Sequence, residues 1–129
     1  MGRKASGKSS EERYDENIVE ALLKLKVPII GHGGINFYIR DEARYENGIQ
    51  QIAKKSHRLR VRDIESVPEI LKHPAVLKQD PNNPNYKNYY GIRKGKEPNL
   101  LLKIVTWPDE RNPKKETVIT IFPTKWIKD

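Results

Sequence analysis

LLLKIVTW at residues 100–107 is an apolar and β-branched run with a single lysine inside it, bounded by the turn-forming segments RKGKEPN and PDERNPKK. Such a run fits a strand in the middle of a sheet, buried on both faces. It therefore demands neighbours. ETVITIF at 116–122 supplies one, ended by Pro123, and YKNYYGI at 86–92 supplies another. The three strands with their short connections predict an antiparallel β-meander over the C-terminal part of the chain.

The N-terminal part reads as helical. Ser9 and Glu12 have capping-box spacing. Ile18, Val19, Leu22, Leu23 and Leu25 follow as an apolar stripe, which Pro28 stops near Lys26. GHGG at 31–34 reads as a turn and INFYI at 35–39 as a strand. Asp41 caps a second helix reaching about Lys55, with Tyr45, Ile49 and Ile52 on one side. Ser66, Pro68 and Glu69 open a third helix that ends at Pro74, and the proline- and asparagine-rich stretch 74–85 reads as a loop. The expected fold is α+β, with N-terminal helices packed on a small antiparallel sheet. Residues 1–9 are expected to form a flexible tail and residues 10–129 a single domain.

Charge divides the chain unevenly. The net charge is +8. Residues 1–52 carry 8 Lys and Arg against 8 Asp and Glu, whereas residues 53–129 carry 17 against 9. The basic half attracts phosphates and steers their approach. The absence of cysteine excludes disulfides and thiolate metal sites and fits a cytoplasmic protein. No apolar run is long enough to span a membrane, so no membrane partner is expected. The histidines His32, His57 and His73 lack metal-binding spacing, and neither a metal nor another cofactor is expected. GRKASGKS at 2–9 matches the phosphate-loop pattern, but that loop needs a strand before it, and only one residue precedes Gly2.

Two clusters carry chemistry. In KKSHRLRVR, residues 54–62, His57 lies among Lys54, Lys55, Arg58, Arg60 and Arg62 with no acid. An imidazole among cations suits proton transfer at a phosphodiester whose charge the cations neutralise. On the meander, Tyr86, Tyr89, Tyr90, Arg93, Lys94, Lys96 and Lys103 combine aromatic and basic side chains, which can stack bases and hold phosphates. Lys103 interrupts the most apolar strand, and its ammonium must reach solvent, a pocket or a partner. Both clusters are equally what a solvated basic surface with some core tyrosines contains. Tyr89 and Tyr90 must point to opposite faces.

QIAKKSH at 51–57, VPEILKHP at 67–74 and the closing YYGIRKG…LLLKIVTW…TVITIFPTK together resemble the barnase–EndoU–colicin–RelE (BECR) superfamily of small ribonucleases, in its phage and mobile-element branches. The resemblance covers roughly residues 35–125. It implies a metal-independent endoribonuclease, in some relatives a toxin, that cleaves RNA by attack of a ribose 2′-OH. An inhibitor or immunity protein is an implied second partner. By the same resemblance His57 is the base or acid, Lys103 and Arg93 hold the phosphate, and Thr120 hydrogen-bonds it. Lys54, Lys55, Arg58, Arg60, Tyr90 and Lys94 contact RNA. The chain departs from the pattern at Gln51, where relatives have a histidine, and glutamine transfers no proton. That departure points to the alternative, a catalytically inactive RNA- or protein-binding module of a phage or integrated element.

Overall fold

A computed structural model describes residues 13–40, 48–95 and 100–127. The proposed tail, its phosphate-loop match, the Ser9–Glu12 capping box, Asp41 and Tyr45 lie outside them. Helix α1 spans Glu16–Lys24 and is opened by Asp15, whose Oδ1 accepts the N–H groups of Asn17 at 2.9 Å and Ile18 at 3.4 Å. Ile18 and Leu22 are buried, but Leu23, expected in the stripe, faces outward. Strands β1 (Ile29–Ile30) and β2 (Asn36–Ile39) flank a 3-10 turn at His32–Gly34, in agreement with the glycine turn expected there.

The second and third helices differ from expectation. Helix α2, Gly48–Ile52, stops before Lys55. Tyr14 and Lys54 form an antiparallel bridge, and the Lys55 N–H donates to the Arg13 carbonyl. This pulls the chain out of helical geometry and into a 3-10 turn at Lys55–His57. Helix α3, Val61–Lys72, starts well ahead of Ser66. Its start signal is Asp63, whose carboxylate accepts the Arg60 N–H at 2.8 Å. Pro68 therefore sits inside the helix and removes a backbone donor. Burial of Ile64, Val67, Ile70 and Leu71 on the same helix offsets that loss.

Strands β3 (Val76–Gln79), β4 (Lys87–Ile92), β5 (Leu101–Pro108) and β6 (Lys115–Thr124) form the antiparallel meander. Strand β3 lies where a loop was expected. The loop itself is confined to residues 80–86, where Asp80 Oδ1 accepts the N–H groups of Asn82 and Asn83. Strand β6 runs through Pro123 instead of ending before it. Beyond Val118 no β2 residue pairs with β6, and an edge tolerates a residue without an N–H. The six strands are ordered β1-β2-β6-β5-β4-β3, and β2 joins β6 in parallel. The sheet is thus mixed and larger than the expected meander, and the fold is α+β.

Helices α1, α2 and α3 all supply residues to one core. Ile18, Leu22, Ile52, Ile64, Val67 and Leu71 cluster with Phe37, Tyr89, Leu102, Ile104, Val118 and Ile121 of the sheet. Strand alternation then turns Tyr38, Tyr90, Lys103, Val105, Thr120 and Phe122 to the second face. Among the described residues no helix is long and apolar enough to cross a membrane.

Gly91 sets how closely α3 approaches the sheet. A Cβ there would overlap Ile70 Cγ1 and lie 2.7 Å from Ile70 Cδ1. Gly91→Ala is expected to destabilise the protein by ~1–3 kcal/mol, the usual cost of overpacking. Much of the loss should return when Ile70→Ala is added, because the two changes share one contact. Urea midpoints of the single and double variants check this, and additive losses would refute it.

Candidate functional site

Phe122 lies where the two chemical clusters of the sequence meet. It is paired in register with Lys103, which is itself opposite Tyr90, so Tyr90, Lys103 and Phe122 form one row across the second face. The Lys103 ammonium sits 5.2 Å from the Phe122 ring centre and 5.9 Å from that of Tyr90. Each distance is within cation–π range. On another side of Phe122 is the His57 ring, with centroids 6.3 Å apart. Thr120 lies two residues before Phe122 on the same face.

His57 is held from behind. Its Nδ1 is 3.1 Å from the Ile52 carbonyl oxygen. A carbonyl only accepts, so Nδ1 carries the proton and donates it. In the neutral ring this leaves the lone pair on Nε2, the nitrogen available to a substrate. The early end of α2 and the 3-10 turn at Lys55–His57 make this bond possible, because they fold the histidine back under the last carbonyls of the helix.

His57 lines a cavity of about 700 Å³ at the end of the sheet, together with Arg58, Arg60, Thr124 and Lys125 and the apolar side chains of Phe122 and Leu100. Arg58, Arg60 and Lys125 are exposed cations, and no acid is among the described lining residues. Arg58 adopts φ 55°, ψ 35°, a left-handed conformation that is uncommon for a residue with a side chain. Its carbonyl accepts a hydrogen bond from Arg93 Nη2 at 2.9 Å. The strained turn that presents Arg58 beside His57 is therefore tied down from the sheet.

Arg93 has a different position from the one the resemblance implies. It is buried on the helix side, at 8% exposure, and its guanidinium grips Asp63 through Nε–Oδ1 at 3.0 Å and Nη2–Oδ2 at 2.8 Å. It touches the cavity, but its donors serve Asp63 and the Arg58 carbonyl. Lys103 and Thr120 do not line that cavity; they approach Phe122 from the second face. The expectation of one cleft shared by His57, Lys103, Arg93 and Thr120 is thus corrected to a cavity and a sheet face that meet at Phe122. The cause is alternation: Arg93 and Lys103 stand on opposite sides of the sheet.

The remaining expected contacts divide in the same way. Tyr90 is fully covered and offers no ring face for a base, so it serves as support for Lys103. Lys55 and Lys94 are exposed, and Lys54 is half-buried in the bridge to Tyr14. Arg60 reaches Asp63 at 3.9 Å and the Lys94 carbonyl at 3.4 Å. Gln51 is half-buried on α2 and does not line the cavity. His32 is exposed on its turn, and His73 closes α3, donating its N–H to the Glu69 carbonyl at 2.9 Å.

Two polar groups escaped the sequence reading. Asp80 lies near Lys103. Burial works to raise its carboxyl, but the Asn82 N–H, the Asn88 side chain, the Asn83 N–H and the Lys103 charge together hold it below the usual carboxylate range. Glu116, fully buried, accepts from Thr106 Oγ1 at 2.7 Å, Tyr89 Oη at 2.8 Å and Lys87 Nζ at 2.9 Å. Burial and then the adjacent Glu116 charge drive the Tyr89 phenol far above its usual range, so it remains a donor. The only sequence signal for Glu116 is an acid at the start of the apolar run TVITIF. No protein-family model, no curated protein and no solved structure matches this chain.

Proposed function

We propose that this protein binds RNA at the His57 cavity and cleaves it as a metal-independent endoribonuclease. The observation that carries the reading is the Nδ1–H bond from His57 to the Ile52 carbonyl, which leaves Nε2 available among exposed cations. His57 Nε2 takes the proton of a ribose 2′-OH. The 2′-oxygen attacks the adjacent phosphorus, the bond from phosphorus to the 5′-oxygen breaks, and a cyclic phosphate remains. Arg58, Arg60 and Lys125 offset the charge that builds on the phosphoryl oxygens. The 5′-oxygen receives a proton from water. The nucleophile belongs to the substrate, so DNA is bound but not cut.

A second reading, RNA binding without cleavage, is favoured by a specific feature. No second histidine and no acid is among the described residues that line the cavity, and Gln51 stands apart from it. Incubation with single-stranded RNA in EDTA separates the two readings. Cleavage with cyclic-phosphate ends supports the first, and salt-dependent binding with intact RNA supports the second. In either case log K should fall linearly with log salt, by about 0.7 per phosphate contact. Arg58→Ala should flatten that slope by roughly one contact's worth. A salt-independent affinity would overturn both.

A further inference from the structure

Trp126 is the most exposed of the large apolar residues described, at 73%. The other tryptophan, Trp107, has its ring against Tyr86, with centroids 6.3 Å apart. No described aromatic ring or cation stands against the Trp126 indole. A lone exposed apolar side chain needs no explanation by itself. The placement of this one does. Strand β6 ends at Thr124, and the chain bends at Lys125. Thr124 and Lys125 both line the His57 cavity. The Thr124 hydroxyl accepts the Trp126 N–H and donates to the Trp126 carbonyl, each at 3.2 Å. The cavity wall therefore holds Trp126 by both of its backbone polar groups, and its Cα lies one step of ~3.8 Å from that of Lys125.

We propose that Trp126 is a stacking platform for a nucleobase beside the phosphate held in the His57 cavity. The inference rests on the reading of that cavity as an RNA site and adds one base subsite to it. Arg58, Arg60 and Lys125 are exposed cations, and no acid is among the described lining residues, so the cavity selects an anionic ligand. An open indole next to phosphate-binding cations suits a nucleotide: the phosphate lies among the cations, and the base covers the ring. Single-stranded RNA presents such unstacked bases, whereas a duplex keeps their faces hidden. The indole reads the face of a base and not its hydrogen-bonding edge. The subsite therefore accepts every base and leans toward purines, whose larger rings stack more strongly. Closure of the ring over a base also removes from water the apolar surface that the fold leaves open at Trp126.

The test uses the full chain and two short single-stranded probes with 2′-O-methyl riboses, which bind but cannot be cut. One is an intact oligonucleotide, and the other is an abasic chain of the same length and charge. Trp126→Ala should weaken binding of the intact probe by roughly 5- to 100-fold, the usual contribution of one stacked base, and leave the abasic chain unchanged. Trp126→Phe should keep most of the affinity. Titration with the intact probe should quench the tryptophan emission of the wild type but not that of Trp126→Phe. The emission carries the test if Trp126→Ala fails to fold. If Trp126→Ala binds the intact probe as tightly as the wild type while Arg58→Ala weakens both probes, the platform is refuted and the His57 site stands. Equal weakening of both probes by Trp126→Ala also refutes the platform, because no base is then involved. If the wild type binds neither probe, platform and RNA site are both refuted.

Discussion

His57→Ala is expected to lower RNA cleavage by ~10²–10⁴-fold, the usual contribution of a positioned general acid or base, while affinity for uncleavable RNA changes little. The two effects separate because the exposed cations around the cavity, not the imidazole, supply most of the attraction to phosphate. A histidine that merely braced the turn would give another result. Its Nδ1–H satisfies the Ile52 carbonyl, and loss of that bond could loosen the 3-10 turn at Lys55–His57. His57→Asn resolves the ambiguity, because an asparagine amide can still donate to the carbonyl but cannot move a proton at Nε2. Single-turnover cleavage by both variants, read beside their thermal melts, is the measurement. Recovery in the asparagine variant would make His57 a structural residue, and undiminished cleavage in both would leave only the binding reading.

The meander was legible because its strands are apolar, β-branched and bounded by strong turn formers, so local preference and tertiary burial agree. The misread elements are those where long-range pairing outweighs local signals. Nothing within residues 48–57 announces that Tyr14 will pair with Lys54 and end α2 early. Pro68 looked like a helix start because proline prefers the first turn. The true start, at Asp63, was masked by the basic residues around it, since neither Arg60 nor Val61 is a customary cap. Strand β3 was hidden among prolines and asparagines that belong only to the following loop. The parallel pairing of β2 with β6 joins segments too distant for any local pattern to record.

The site was legible in its residue types and less so in its geometry. A histidine among cations and a lysine in an apolar strand are local anomalies, and both lie around Phe122. Phe122 itself carried no signal, since a phenylalanine in a strand is ordinary until its neighbours are known. Arg93 was misplaced because it is ten residues from Lys103 but β4 and β5 are antiparallel, and register rather than spacing decides the face. Register became available only with the fold.

Asp63→Ala is expected to cost ~3–5 kcal/mol, a large part of the ~5–15 kcal/mol that keeps a domain folded. Arg93 is the reason. At 8% exposure its guanidinium does not readily regain water, and removal of Asp63 takes away the carboxylate that grips it through two hydrogen bonds. The same carboxylate also accepts the Arg60 N–H, so the first turn of α3 loses its cap. At a slope of ~1–3 kcal/mol per molar urea, the unfolding midpoint should fall by roughly 1 M or more. Replacing both partners, Asp63→Leu with Arg93→Met, should recover much of the loss, because an apolar pair of similar volume avoids the desolvation penalty. The double variant also separates stability from function. Without Arg93 Nη2 the left-handed Arg58 turn loses its hydrogen bond to the end of β4, so a refolded, stable double variant should still bind RNA more weakly than the wild type. A midpoint unchanged in Asp63→Ala would mean that Arg93 finds water on its own, and the pair would then contribute little to either fold or site.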